Sequence, residues 1–165
     1  MLTQSKPSKA VATNSPNVSN LWANTAPQPQ LGGNLFLAMV TKNTTITSIA
    51  LVDESGKTLL NKQMTDPKKG KPSKKMVDIF SVWYELAPLI KGKQVYFENA
   101  NSDTYLISKA MAKGFKPLPF AALKSGCTPV CLGKLCAHNA LVKPKLVGTA
   151  LERAKKLQAL CKPLI

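Results

Sequence analysis

The sequence predicts an α/β domain on a mixed sheet, three antiparallel strands continued by parallel ones, with helices on its faces and a polar tail in front. Three observations lead there. Residues 1–33 contain no Asp or Glu, are rich in Ser, Asn, Thr, Pro and Gln, and end in PQPQLGG, a composition that buries too little apolar surface to fold alone. From Asn34 to Met64 three strand-like runs follow one another with short polar breaks. Beyond residue 75, helical spacing of apolar residues alternates with one short strand. A chain of 165 residues suits one core better than two, so the domain is placed at 34–165 behind a tail at 1–33.

The elements follow in order. NLFLAMV (34–40) is a continuous apolar run suited to a buried strand, and TITSIALV (45–52) is a second, rich in β-branched residues. The acidic turn DESGK (53–57) leads into TLLNKQM (58–64), completing a meander. DPKKGKPSKK (66–75) is a loop, and Met76, Ile79, Phe80, Trp83, Leu86, Ala87 and Ile90 then fall at helical spacing before Lys91 and Gly92. KQVYFEN (93–99) reads as a strand. SDTYLISKAMAKG (102–114) reads as a helix capped by Ser102, with Leu106, Ile107, Ala110 and Met111 on one face and Gly114 as terminator. FKPLPFAAL (115–123) reads as an extended segment limited by its prolines. Two helices are expected to close the domain, one around Pro129–Ala137 and one around Lys145–Cys161 that buries Val147, Ala150, Leu151, Ala154 and Leu157.

Charge indicates the partner. Against 8 Asp and Glu stand 23 Lys and Arg, of which only Arg153 is an arginine, for a net charge of +15. Such an excess favours a polyanion, because neutralising phosphates releases their counterions and gives salt-sensitive affinity. Lysine supplies point charges rather than the bidentate fork that reads base edges, so largely sequence-independent binding of RNA or DNA is expected. Lys68, Lys69, Lys71, Lys74 and Lys75 crowd into the 66–75 loop; with Lys42, Lys143 and Lys145 they form the candidate phosphate contacts, which Lys113, Lys116, Lys155 and Lys156 can extend. In the tail, Leu21 and Trp22 interrupt a polar run, as an anchor for a protein partner does. No run approaches the ~18 apolar residues of a membrane span, and polar residues occupy the place of a signal peptide's apolar core. No membrane partner is expected, and the location is expected to be intracellular, cytoplasmic or nucleoid-associated, rather than secreted.

Two local sequences carry a family resemblance. KGKQVYFENANSDTYLISKAMAKGF (91–115) resembles a motif in which a strand ends in a His-Asn-Ala-x-x-Asp type sequence opening a helix, here ENANSD. CLGKLCAHNALVKPKLVGTALERAKKL (131–157) resembles a motif in which a helix ends in His, an Ala-Leu pair follows, and an Asp five residues after the His opens the last helix; His138, Ala140 and Leu141 match. Together they are similar to the DnaQ-like (DEDD) 3′–5′ exonucleases, and the resemblance implies a ribonuclease H-like fold. It also implies two divalent metals held by four carboxylates, beside a His that activates water. Here the first strand, LFLAMVTKN (35–43), has no acid, and Lys143 stands where the last Asp belongs. Asp103 and His138 remain as family-matching remnants, with Glu98 nearby in sequence. One or two carboxylates do not hold two cations, so no metal, no cofactor and no catalytic residue are expected. A pseudo-exonuclease that binds without cutting is the reading.

Cys127, Cys131, Cys136 and His138 form a C-x3-C-x4-C-x-H series with ligand types suitable for zinc but a spacing that is not a standard one. Buried thiols are the expectation, because a helix over 129–137 puts Cys131 and Cys136 on different sides. A second functional class stays open: an interaction subunit or inhibitor of a larger protein or ribonucleoprotein assembly, of viral or phage type, docking through the tail.

Overall fold

The computed structural model describes residues 33–64, 76–123 and 125–165. Of the expectations above, the tail with Leu21 and Trp22 and the loop with Lys68, Lys69, Lys71, Lys74 and Lys75 lie outside the described residues. Strands β1 (Leu35–Lys42), β2 (Thr45–Asp53) and β3 (Thr58–Met64) form the expected antiparallel meander. The two-residue β4 (Met76–Val77) leads into α1 (Ile79–Ile90), β5 (Gln94–Phe97) and α2 (Ala100–Met111). A 3-10 turn at Phe120–Leu123, β6 (Thr128–Cys131), α3 (Leu132–His138), α4 (Ala150–Cys161) and a 3-10 turn at Lys162–Leu164 complete the chain. The sheet order is β4-β3-β2-β1-β5-β6, with β5 parallel to β1 and β6 parallel to β5. This is the mixed sheet that the sequence predicts, three antiparallel strands continued by parallel ones, with a short extra strand at one edge.

β1 lies at the centre because its side chains are apolar on both faces. Leu35, Leu37 and Met39 enter the core under α1 and α2, while Phe36 and Ala38 enter the core under α4. In β2 a bulge opposite Val40 and Thr41 re-phases the strand, so that Ile46 joins Ile49 and Leu51 on the first face despite an odd spacing. The second face is closed by Ala150, Ala154, Leu157 and Cys161, one stripe of α4. Its small residues bring that helix close to the sheet, and Phe36 stacks on Tyr96 beneath it with ring centroids 5.1 Å apart.

Four expectations need correction. Met76 does not belong to α1; it pairs with Gln63 at the sheet edge, and Asp78 caps the helix by accepting from the N–H groups of Phe80 and Ser81. Ser102 is not the cap of α2 but lies inside it, its hydroxyl donating to the Asn99 carbonyl. Segment 115–123 forms no strand; the outer parallel strand is Thr128–Cys131, which takes the first three residues of the expected helix and leaves α3 to begin at Leu132. Pro129 is tolerated there because β6 is an edge strand, paired only with β5. Finally, α4 begins at Ala150 rather than near Lys145. Gly148 takes φ +103° and Thr149 and Glu152 form a capping box, which leaves Val147 exposed. Among the described residues no helix is long and apolar enough to cross a membrane.

Leu37 is fully buried, so Leu37→Ala is expected to cost about 3 kcal/mol through lost transfer energy and a residual cavity. Thr149→Ala, which removes a helix cap, is expected to cost about 1 kcal/mol. Urea unfolding of the two variants measures both and checks their ranking.

Candidate nucleic-acid interface

β1 and β5 run parallel, so their C-terminal ends lie along one rim of the sheet, the rim at which β5 leads into α2. Arg153, in the first turns of α4, reaches back across that rim. Its Nε donates to the Gly148 carbonyl at 3.1 Å and its Nη1 to the Met39 carbonyl at 3.5 Å, and Nη1 lies 4.0 Å from Glu98 Oε2 at the end of β5. Both ion-pair side chains are about a quarter exposed, 26% and 24%. A partly solvated pair at that separation contributes less than about 1 kcal/mol. Its consequence is positional: one guanidinium ties β1, β5 and the approach to α4 together.

Asp103, in the first turn of α2, is the second carboxylate of this group. Burial pushes its carboxyl above the usual value of 3.8; the Asn99 N–H, donating to Oδ2 at 3.0 Å, opposes the shift, nearby Glu98 adds to it, and the Lys143 ammonium pulls it down. Lys143 approaches across the start of α3. A Cβ on Gly133 would stand 3.4 Å from Lys143 Cδ and 3.7 Å from Cys131 Sγ, so glycine leaves the space in which the lysine chain lies. Burial raises the Cys131 thiol, but the N–H groups of Lys134, Ala100 and Gly133, helped by Lys143, leave it below its ordinary value.

Glu98, Asp103, Lys143 and Arg153 are therefore neighbours. His138 ends α3 as an exposed residue and is not among the groups that act on Asp103. No family model matches the chain, and no curated protein matches it significantly.

The residues do not fit the two-metal centre that the exonuclease resemblance implies. Among the described residues no three His, Cys, Asp or Glu side chains come together to hold a metal ion, and Glu98 already pairs with Arg153. The cysteine series is divided by the sheet: Cys127 and Cys131 pack against the core under α1 and α2, Cys136 against the core under α4. Cys136 meets Cys161 there, and burial, with Cys136 adding, pushes the Cys161 thiol up to about 12.

Lys42 is exposed at the end of β1 and lines a hollow of about 580 Å³ with Thr47, Gly148, Thr149 and Glu152. Lys145 is exposed in the segment that leads to Gly148. Lys42 shares that hollow with Glu152, Lys143 acts on Asp103, and Arg153 pairs with Glu98. Sequence reading missed the role of Arg153; its being the single arginine among 23 basic residues was the available signal.

An acid whose pKa is raised by folding binds its proton more readily in the folded state, so its contribution is greatest below 3.8 and is lost as pH rises through the higher folded value. Asp103→Asn keeps the acceptor for Asn99 N–H and removes the titration. It is expected to abolish that loss of stability with rising pH and to raise stability at neutral pH, read by urea unfolding across pH 3–7.

Proposed function

We propose that this protein is a non-catalytic nucleic-acid-binding protein, built on a scaffold similar to a DnaQ-like exonuclease that has lost its metal-binding carboxylates. It holds RNA or DNA by lysine–phosphate contacts, with little dependence on base sequence. The observation that carries this reading is how the few acids are used. Asp53 closes the β2–β3 turn onto Ser55 and Lys57, Glu54 accepts from Asn34 N–H, and Asp78 and Glu152 cap helices. Glu85 pairs with Lys62 at 2.8 Å, Glu98 with Arg153, and Asp103 accepts from Asn99. Among the described residues only Lys62 and Arg153 form ion pairs with carboxylates, so most of the lysine charge is left for a polyanion. Lys42, Lys143 and Lys145 are the described lysines assigned to these contacts.

Binding without cutting is supported by the chemistry of Glu98 and Asp103. Carboxylates that serve a phosphoryl-transfer centre need to neutralise metal cations, whereas Glu98 pairs with Arg153 and burial disfavours the charged form of Asp103.

The test is binding of labelled single-stranded and duplex DNA and RNA across a salt series. Affinity is expected to fall steeply with salt, and Lys42→Ala, Lys143→Ala and Lys145→Ala are each expected to reduce the slope of log affinity against log salt by about one, without changing sequence preference. Binding that survives high salt but disappears when residues 1–32 are removed would assign the function to a protein partner instead.

A further inference from the structure

Between α1, α2 and the hairpin joining β1 to β2 lies a cavity of about 450 Å³, within the usual range for small-molecule sites. Ile46, Met64, Ile79, Phe80, Leu106 and Ala110 form its apolar walls. Its polar rim is uneven in charge. Lys109 and Lys113, one turn apart on α2 and its continuation, both line it, and Lys113 Nζ rests 4.0 Å from the centre of the Phe80 ring. An ammonium on an aromatic face, rather than on a carboxylate, is available to an incoming anion at small cost. The acid at the rim, Asp78, is turned away into the α1 cap, where it accepts from Phe80 N–H, Ser81 N–H and the Ser81 hydroxyl.

The hairpin supplies a second observation. Asn43 and Thr44 have φ of +50° and +63°, the left-handed pair that a two-residue hairpin demands. Glycine is the usual occupant of the second place, and a β-branched residue there is strained. That strained threonine lines the cavity together with Thr45, placing hydroxyls beside the lysines. Strain retained where a polar group meets a cavity points to a ligand-binding role.

We propose that this cavity binds a free amphipathic organic anion, with an alkyl or aryl body among Ile46, Ile79, Phe80 and Leu106 and a carboxylate-like head between Lys109 and Lys113. The site does not use Lys42, Lys143 or Lys145, the phosphate contacts tested above. The apolar walls set the body of the ligand, and the pair of ammonium groups selects the sign of its head.

The test titrates the full chain calorimetrically with decanoate below its micellar concentration, with decyltrimethylammonium as the control of opposite charge, and follows the Ile79 and Leu106 methyl signals by NMR. Saturable one-to-one binding of decanoate that moves those methyls is expected, at least about tenfold tighter than the cationic congener. In the double variant Lys109→Glu, Lys113→Glu the preference for decanoate is expected to vanish. Ala110→Trp fills the cavity and is expected to abolish binding; the wild-type methyl shifts decide the location even if that variant does not fold. Equal binding of both congeners, shifts confined to other residues, absence of saturable binding, or binding only to anionic vesicles would each overturn the proposal.

Discussion

Eight carboxylates serve a chain with 23 basic side chains, and that shortage governs how the surface and the candidate interface are built. Each of the seven described acids has a local partner: a turn, a helix cap, a backbone N–H or a single cation. None is left to cluster with two others. The same shortage leaves most lysines without a carboxylate and makes the outward field of the molecule positive. Fold stability therefore rests on the two apolar cores, not on ion pairs. The burial of Leu35–Met39 on both faces of β1 holds the meander, the parallel strands and α4 in one unit.

Arg153 connects that core to the interface. Its guanidinium bonds to the backbone at Met39 and Gly148 and pairs with Glu98, so the end of β1, the end of β5 and the start of α4 keep fixed relative positions. Lys143 acts on the other carboxylate, Asp103, and on the Cys131 thiol. Two side-chain cations, Arg153 and Lys143, thus act on the two carboxylates Glu98 and Asp103.

The long periodic segments were legible because burial imposes its period directly: β1 as an unbroken apolar run, α1 from Ile79 and α2 from its Leu106–Met111 face. What was missed depends on contacts distant in sequence. β6 has only four residues, includes Pro129 and is defined by pairing with β5, so Thr128–Cys131 carries no local strand signal. The start of α4 is set by Gly148 and the Thr149–Glu152 box, a stronger constraint than the helical spacing of Val147. At the candidate interface, Asp103 and Lys143 were identified from their motif positions, while the pairing of Glu98 with Arg153 required the fold to bring β5 and α4 together. His138 matched its motif, yet it ends α3 exposed, outside the groups that surround Asp103.

The central proposal is that this lysine-rich protein binds nucleic acid without cleaving it. The most direct measurement incubates the purified protein with end-labelled single-stranded and duplex DNA and RNA in magnesium and in manganese, and resolves product lengths beside a binding assay on the same samples. The account predicts bound substrate of unchanged length in both metals. Progressive shortening from the 3′ end, lost on Asp103→Asn, would contradict it.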